Sequence, residues 1–229
     1  MTTLIIRLAA PLQAWGAASR YTRRDTRHEP TKSGIIGLLA AAQGCRRTDD
    51  ISHLAGLRFG VRVDQQGTLI RDFQVARSLD GSKTLPLSYR YYLADAAFIA
   101  GVEGGQELIS GLSEALINPT FPLYLGRRSC PPSEPLLMEV TDEPLLAALQ
   151  DQPWRAAEWY QRKQPDRLRL RIVIDSDGDD SAELVRDQPR SFDPRYRSYD
   201  WRAVSEHFLD IDNPLGTTGH EPLAALGGV

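Results

Sequence analysis

The sequence predicts an α+β fold: a ferredoxin-like unit of RNA-recognition type, with a hairpin inserted in it, and a small mainly β region behind it. Three observations predict this. Leu57 to Asp64 alternates, with Leu57, Phe59, Val61 and Val63 on one face and Arg58 and Arg62 on the other, as a half-buried strand requires. Pro30 to Gly44 and Gln106 to Ile117 carry apolar residues at helical spacing. Asp80-Gly81, a pair suited to positive φ, lies between two β-rich runs.

In order, Thr3 to Ala9 reads as the first strand and Pro11 stops it. Pro11 to Gly16 is a loop able to expose Trp15, and Ser19 to Arg27 is basic and irregular. Thr31 or Ser33 caps the first helix, Ile35, Ile36, Leu38 and Leu39 give it a buried face, and Gly44 ends it. Asp49 to Gly56 is a minor helical turn, followed by the strand Leu57 to Asp64. Gln66-Gly67 turns into Thr68 to Val75, and Ser88 to Val102 is one strand or a bent pair. Asn118-Pro119 closes the second helix, and Phe121 to Leu125 is short and extended, which completes a first unit at 1–118 with its last strand just beyond. Leu136 to Val140, Arg167 to Ile174 and Ala203 to Leu209 make a mainly β region at 119–212, with an acidic loop at Asp175 to Asp187. A Gly/Pro-rich tail, 213–229, frays or binds a partner.

A net charge of -3 hides an asymmetry: Met1 to Pro135 holds 16 basic and 12 acidic residues, the remainder 11 and 18. A polyanion should meet the first part. Arg supplies 24 of the 27 basic residues, which suits forked phosphate contacts and stacking and equally suits a GC-rich genome. Cys45 and Cys130 lack metal-ligand spacing and give no disulfide framework, so no metal or cofactor is expected and a reducing cytoplasm fits. No run reaches the roughly 18 apolar residues that span a bilayer, so no membrane is expected.

Two features carry anion chemistry. The amino end of the first helix presents unpaired amides beside Lys32, with Arg20, Arg23, Arg24 and Arg27 just before it. Gly34 and Gly37 let another backbone or a phosphate come close, and serve tight packing equally. A phosphate-binding loop of Walker type is excluded, because Lys32 and Ser33 precede the glycine that they should follow. The second feature is Tyr124 to Pro132, where Gly126, Arg127, Arg128 and Ser129 put amides, two guanidinium forks and a hydroxyl on one loop held by two prolines.

P-L-Q-A-W-G at Pro11 to Gly16, P-T-K-S-G-I-I-G-L-L-A at Pro30 to Ala40, Y-R-Y-Y-L-A-D-A-A-F at Tyr89 to Phe98 and Y-L-G-R-R-S-C-P at Tyr124 to Pro131 stand in the order of one family. Together they resemble the CasD family, the subunit of type I-E Cascade that holds the 5′ handle of CRISPR RNA. The resemblance implies a RAMP domain of the ferredoxin-like kind, a thumb at about 71–88 and a small carboxy-terminal β domain. The implied partners are the crRNA 5′ handle, the CasA large subunit, the CasC backbone subunits and, indirectly, target DNA. The implied RNA contacts begin with Gln13 and Trp15, continue through Arg20, Tyr21, Arg23 and Arg24, and include Lys32, Ser33 and Gly34 at the helix start. Arg71, Arg77, Tyr89 and Arg90 belong to the thumb and its root, and Gly126, Arg127, Arg128, Ser129 and Cys130 to the loop. Asp72-Phe73-Gln74 departs from the aromatic and histidine that relatives tend to carry there.

The resemblance implies a binder that performs no catalysis. The alternative is a metal-independent endoribonuclease processing precursor crRNA, which needs a general base and a cation near the 2′-hydroxyl. Only His28 lies in the basic segment, so His28, Tyr21 and Lys32 are its one constellation.

Overall fold

The computed structural model describes residues 1–16, 23–176, 178 and 182–217. Its elements are β1 (Thr2–Ala9), β2 (Leu12–Gln13), β3 (Arg23–Arg24), α1 (Lys32–Gln43), α2 (Ser52–Ala55), β4 (Arg58–Gln65), β5 (Thr68–Gln74) and β6 (Ser88–Ala94). Then follow β7 (Ala97–Gly104), α3 (Gln106–Ile117), β8 (Leu137–Thr141), α4 (Leu145–Asp151), α5 (Glu158–Gln161), β9 (Arg167–Asp175), β10 (Glu183–Ser191) and β11 (Ser198–Asp212). The fold is mixed α+β, with antiparallel pairing throughout the larger sheet.

That sheet runs β10-β11-β9-β4-β7-β1-β8. On one face α1 and α3 close a core around Ile35, Leu39, Phe59, Phe98 and Leu112. On the other, α4 covers Ile5, Ile99, Ile172 and Ile174 with Leu145 and Leu149. Two buried glycines make this second approach possible. A Cβ on Gly60 would meet Leu149 at 2.8 Å, and one on Gly101 would meet Leu145 at 2.6 Å. Arg62, fully buried on β4, holds α4 in place: its guanidinium donates to the carbonyls of Leu149 (2.7 Å), Gln152 (2.6 Å) and Pro153 (2.9 Å) and forks onto Asp64. It thereby supplies donors to carbonyls that a helix end leaves orphaned.

Thr31 caps α1 by accepting from the Gly34 amide at 3.2 Å, and Gly44 ends it at φ 86°. The run Ser88 to Val102 is two strands, broken where Asp95 takes a φ of 56°. Several expectations change. Phe121 to Leu125 is not a strand; Leu136 to Val140, expected in the second region, supplies instead the strand beside β1. The acidic loop is shorter than Asp175 to Asp187, because from Glu183 onward the chain pairs with β11. The regions at 1–118 and 119–212 share one sheet, since β8 pairs with β1 and β9 with β4. The start of the tail is tied down, with the Asn213 side chain donating to the carbonyls of Gln161 and Pro165; residues 218–229 lie outside the described ones.

A second, smaller sheet centres on β6. It pairs with β5 antiparallel, with β2 antiparallel and with β3 in parallel. Beyond it the hairpin narrows to a bridge between Arg77 and Thr84, with its tip at Gly81, φ 72°. At its root Gly67 is pressed on the break between β6 and β7: a Cβ there would stand 2.7 Å from the Ala94 carbonyl oxygen and from the Ala96 Cβ.

Candidate nucleic-acid interface

The small sheet has two differently furnished faces, because its register sorts alternate residues. Tyr89 and Tyr91 share a face with Phe73 and Arg71 of β5 and Arg23 of β3. Arg90 and Tyr92 share the opposite face with Arg24. On the latter face Arg127 lies 4.5 Å from the Tyr92 ring centre, and its Nη2 donates to the Arg24 carbonyl at 2.9 Å. Arg24, Arg90, Arg127 and Arg128 form no ion pair among the described residues, and the Arg90 Nε and Arg127 Nη1 atoms are buried without an acceptor. The contrast is with β9 to β11, where Arg167, Arg169, Arg171, Arg190 and Arg202 each meet a carboxylate.

The loop that brings Arg127 here is fixed by its backbone. Leu125 donates to the Cys130 carbonyl at 2.7 Å, Cys130 donates to that of Arg127 at 2.8 Å, and Ala14 donates to Leu125 at 3.1 Å. Gly126, at φ 86°, packs so closely on Ala14 that a Cβ would overlap the Ala14 carbonyl oxygen, so both conformation and space require glycine. Burial opposes ionisation of Tyr92, but Ser129, Arg127 and Arg90 around its hydroxyl outweigh it and hold its pKa below the ordinary tyrosine value. Burial pushes the Cys130 thiol up, so it stays protonated near neutral pH.

Several candidates have side chains engaged inside the protein. Trp15, expected to be free for exposure, is fully buried; its indole N–H donates to Gln13 at 3.1 Å. Gln13, also buried, donates to the carbonyls of Leu8 and Ala96. Gly34 makes room for that indole, since a Cβ would stand 2.9 Å from Trp15 Cε3. The Lys32 ammonium, side chain 6 % exposed, sits 2.8 Å from Asp175, and its backbone amide donates to Asp187 at 2.8 Å. Arg202 joins both carboxylates, at 2.6 Å each. The anion at the amino end of α1 is therefore the protein's own Asp187. Ser33 is half-buried and bonded to Thr31, while Gly126, Arg128 and Ser129 are exposed on their loop, as Arg77 is on the hairpin. Arg20 and Tyr21 lie outside the described residues, so the constellation of His28, Tyr21 and Lys32 cannot be drawn as a unit; its cation is the Lys32 already held by Asp175.

Sequence reasoning picks out Tyr89 and Arg90 but misses Tyr91, Tyr92 and Phe73. The signal for them is the period of two in Y-R-Y-Y, which puts Arg90 and Tyr92 on one face. No described helix is long and apolar enough to cross a membrane.

Comparison with known proteins identifies relatives of the chain. CasD of the CRISPR system Cascade from Escherichia coli (strain K12) is 37 % identical over 157 residues, 59 % of this chain and 69 % of that protein. A solved structure described as a Cas protein is 39 % identical, with a TM-score of 0.71 and 95 % and 98 % of the two chains covered. A chain of a CRISPR RNA-guided surveillance complex is 29 % identical, with a TM-score of 0.76 and coverage of 98 % and 97 %. The family model described as CRISPR-associated protein (Cas_Cas5) matches residues 3–205, and the chain belongs to that family.

Proposed function

We propose that the chain is a non-catalytic RNA-binding subunit of a Cascade-type CRISPR surveillance complex, holding the 5′ handle of crRNA and joining a CasA-type large subunit to CasC-type backbone subunits. In that assembly it meets target DNA only indirectly, and its compartment is the cytoplasm. The strand order β4-β7-β1-β8, with α1 and α3 on one face, supports a ferredoxin-like RAMP unit, and the hairpin beyond β5 and β6 supports a thumb.

The observation that carries the reading is the gathering of Arg24, Arg90 and Arg127 beside Tyr92, with Arg128 next in the loop, none of them in an ion pair among the described residues. On β9 to β11 arginines such as Arg169 and Arg202 are neutralised internally; here the forks are left for an external polyanion, and a phosphate backbone satisfies planar N–H forks best. Gln13 and Trp15 then act from behind, by fixing the segment whose Ala14 amide holds the 125–130 loop, while Lys32 and Gly34 seat α1 against them.

The test is titration of a handle-sequence RNA at several salt concentrations. Arg127→Ala with Arg128→Ala should weaken binding and flatten log Kd against log salt by roughly 0.7 for each phosphate that is no longer neutralised. A folded double variant with unchanged affinity and slope overturns the assignment.

A further inference from the structure

We infer that the opposite face of the small sheet is a separate base-stacking platform for single-stranded nucleic acid, built from Phe73, Tyr89 and Tyr91 with Arg71 and Arg23. Register sets these residues in a checkerboard. Phe73, Tyr89 and Arg23 form one row across β5, β6 and β3, and Arg71 and Tyr91 form the next. The guanidiniums lie diagonally over the rings, Arg71 at 5.3 Å from the centre of Tyr89 and Arg23 at 5.1 Å from that of Tyr91. Each pair presents a flat cation on an aromatic base, and a nucleobase extends such a stack.

Phe73 makes no ring or cation contact among the described residues: it is 66 % exposed, directly across from Tyr89 at 38 %. An exposed aromatic pair flanked by two arginines fits nucleobases better than an apolar peptide, because stacking tolerates any base and the arginines favour the chain that carries it. Asp25 is bound to Arg23, while Asp72 belongs to the other face and bonds with Phe73 N and Gln74.

This rests on the RNA-binding reading but acts by different physics, and the two separate in one experiment. The full-length protein is titrated with a single-stranded RNA of about 12 nucleotides carrying 2-aminopurine, across a range of salt. Phe73→Ala with Tyr89→Ala should weaken binding about 5- to 150-fold per base unstacked and leave the salt slope as in the wild type, because stacking releases no counterions. Phe73→Trp should keep the affinity, and quenching of 2-aminopurine should vanish only in the alanine variant. Both residues are exposed, so the variants fold, and melting temperature checks it. Wild-type affinity and quenching in the alanine variant overturn the platform alone, as does a variant that binds RNA normally but fails to assemble with a partner protein. Absence of binding by the wild type overturns the RNA-binding reading itself.

Discussion

Gly34 is where packing and ligand approach give opposite forecasts. A methyl group there meets the Trp15 ring at 2.9 Å and the Thr31 hydroxyl at 3.0 Å, and neither yields, one being wholly buried and the other capping the helix. Gly34→Ala should therefore cost about 1 to 3 kcal/mol of stability, as overpacking does, and leave RNA affinity of the folded fraction unchanged. Melting together with titration checks this; normal melting with weakened binding would contradict it. The residue scale is also where the sequence misleads most. Lys32 reads as a phosphate ligand because the residues that claim it, Asp175 and Asp187, stand 143 and 155 positions away. Trp15 follows a strand-ending proline in a stretch without periodicity, so nothing local announces that a glycine of α1 is cut to receive it. The loop that carries Arg127 was legible because it is local: one glycine, two prolines and a short closed backbone circuit.

Elements were legible where periodicity is strong and edges do not intervene. The two helices and the alternating β4 fall within about two residues of their expected bounds. β10 was hidden because it is an edge strand carrying charges and Pro189, the devices that keep an edge from pairing further. α4 hides in a seven-residue stretch, Leu145–Asp151, too short for the pattern to stand out. The hairpin is an element with its own forecasts. Removing Leu79 to Leu85 should change stability by less than about 0.5 kcal/mol, since these residues are exposed and their backbone bonds run among themselves and to Ala76, Arg77 and Ser78 just before them. Urea denaturation measures it, and impaired assembly of the intact complex is the expected functional loss. The tip responds to acid in a set direction. Bonds from the hydroxyls of Ser78 and Ser82 hold Asp80 at about 2, so their support is complete above the ordinary carboxylate range and disappears as pH falls through about 2. The Gly81 and Ser82 amide signals should keep their native positions at pH 4 and move only toward pH 2.

At the scale of the molecule, one sheet and one buried charge cluster bind the chain's two ends. Lys32 at the start of α1 meets Asp175 at the end of β9 through its ammonium and Asp187 on β10 through its backbone amide, and Arg202 on β11 bonds both carboxylates. Asp187→Ala leaves two buried cations short of a counter-charge and should cost about 3 to 5 kcal/mol, read from urea denaturation. A chain cut after Asn118 should fail to form a soluble monomer, because it exposes the β1 edge that β8 covers and the β4 edge that β9 covers. A monodisperse, cooperatively melting 1–118 fragment would refute that. The pinned root of the hairpin has a consequence of another kind. Gly67 wedged on Ala94 and Ala96 leaves no slack where the chain enters and leaves the arm, and β6 passes within two residues into β7, all of whose residues are buried. Such a joint works as a bracket and not as a hinge, so the arm keeps a set angle to the body, and whatever its tip touches is held at a fixed reach, as by a ruler.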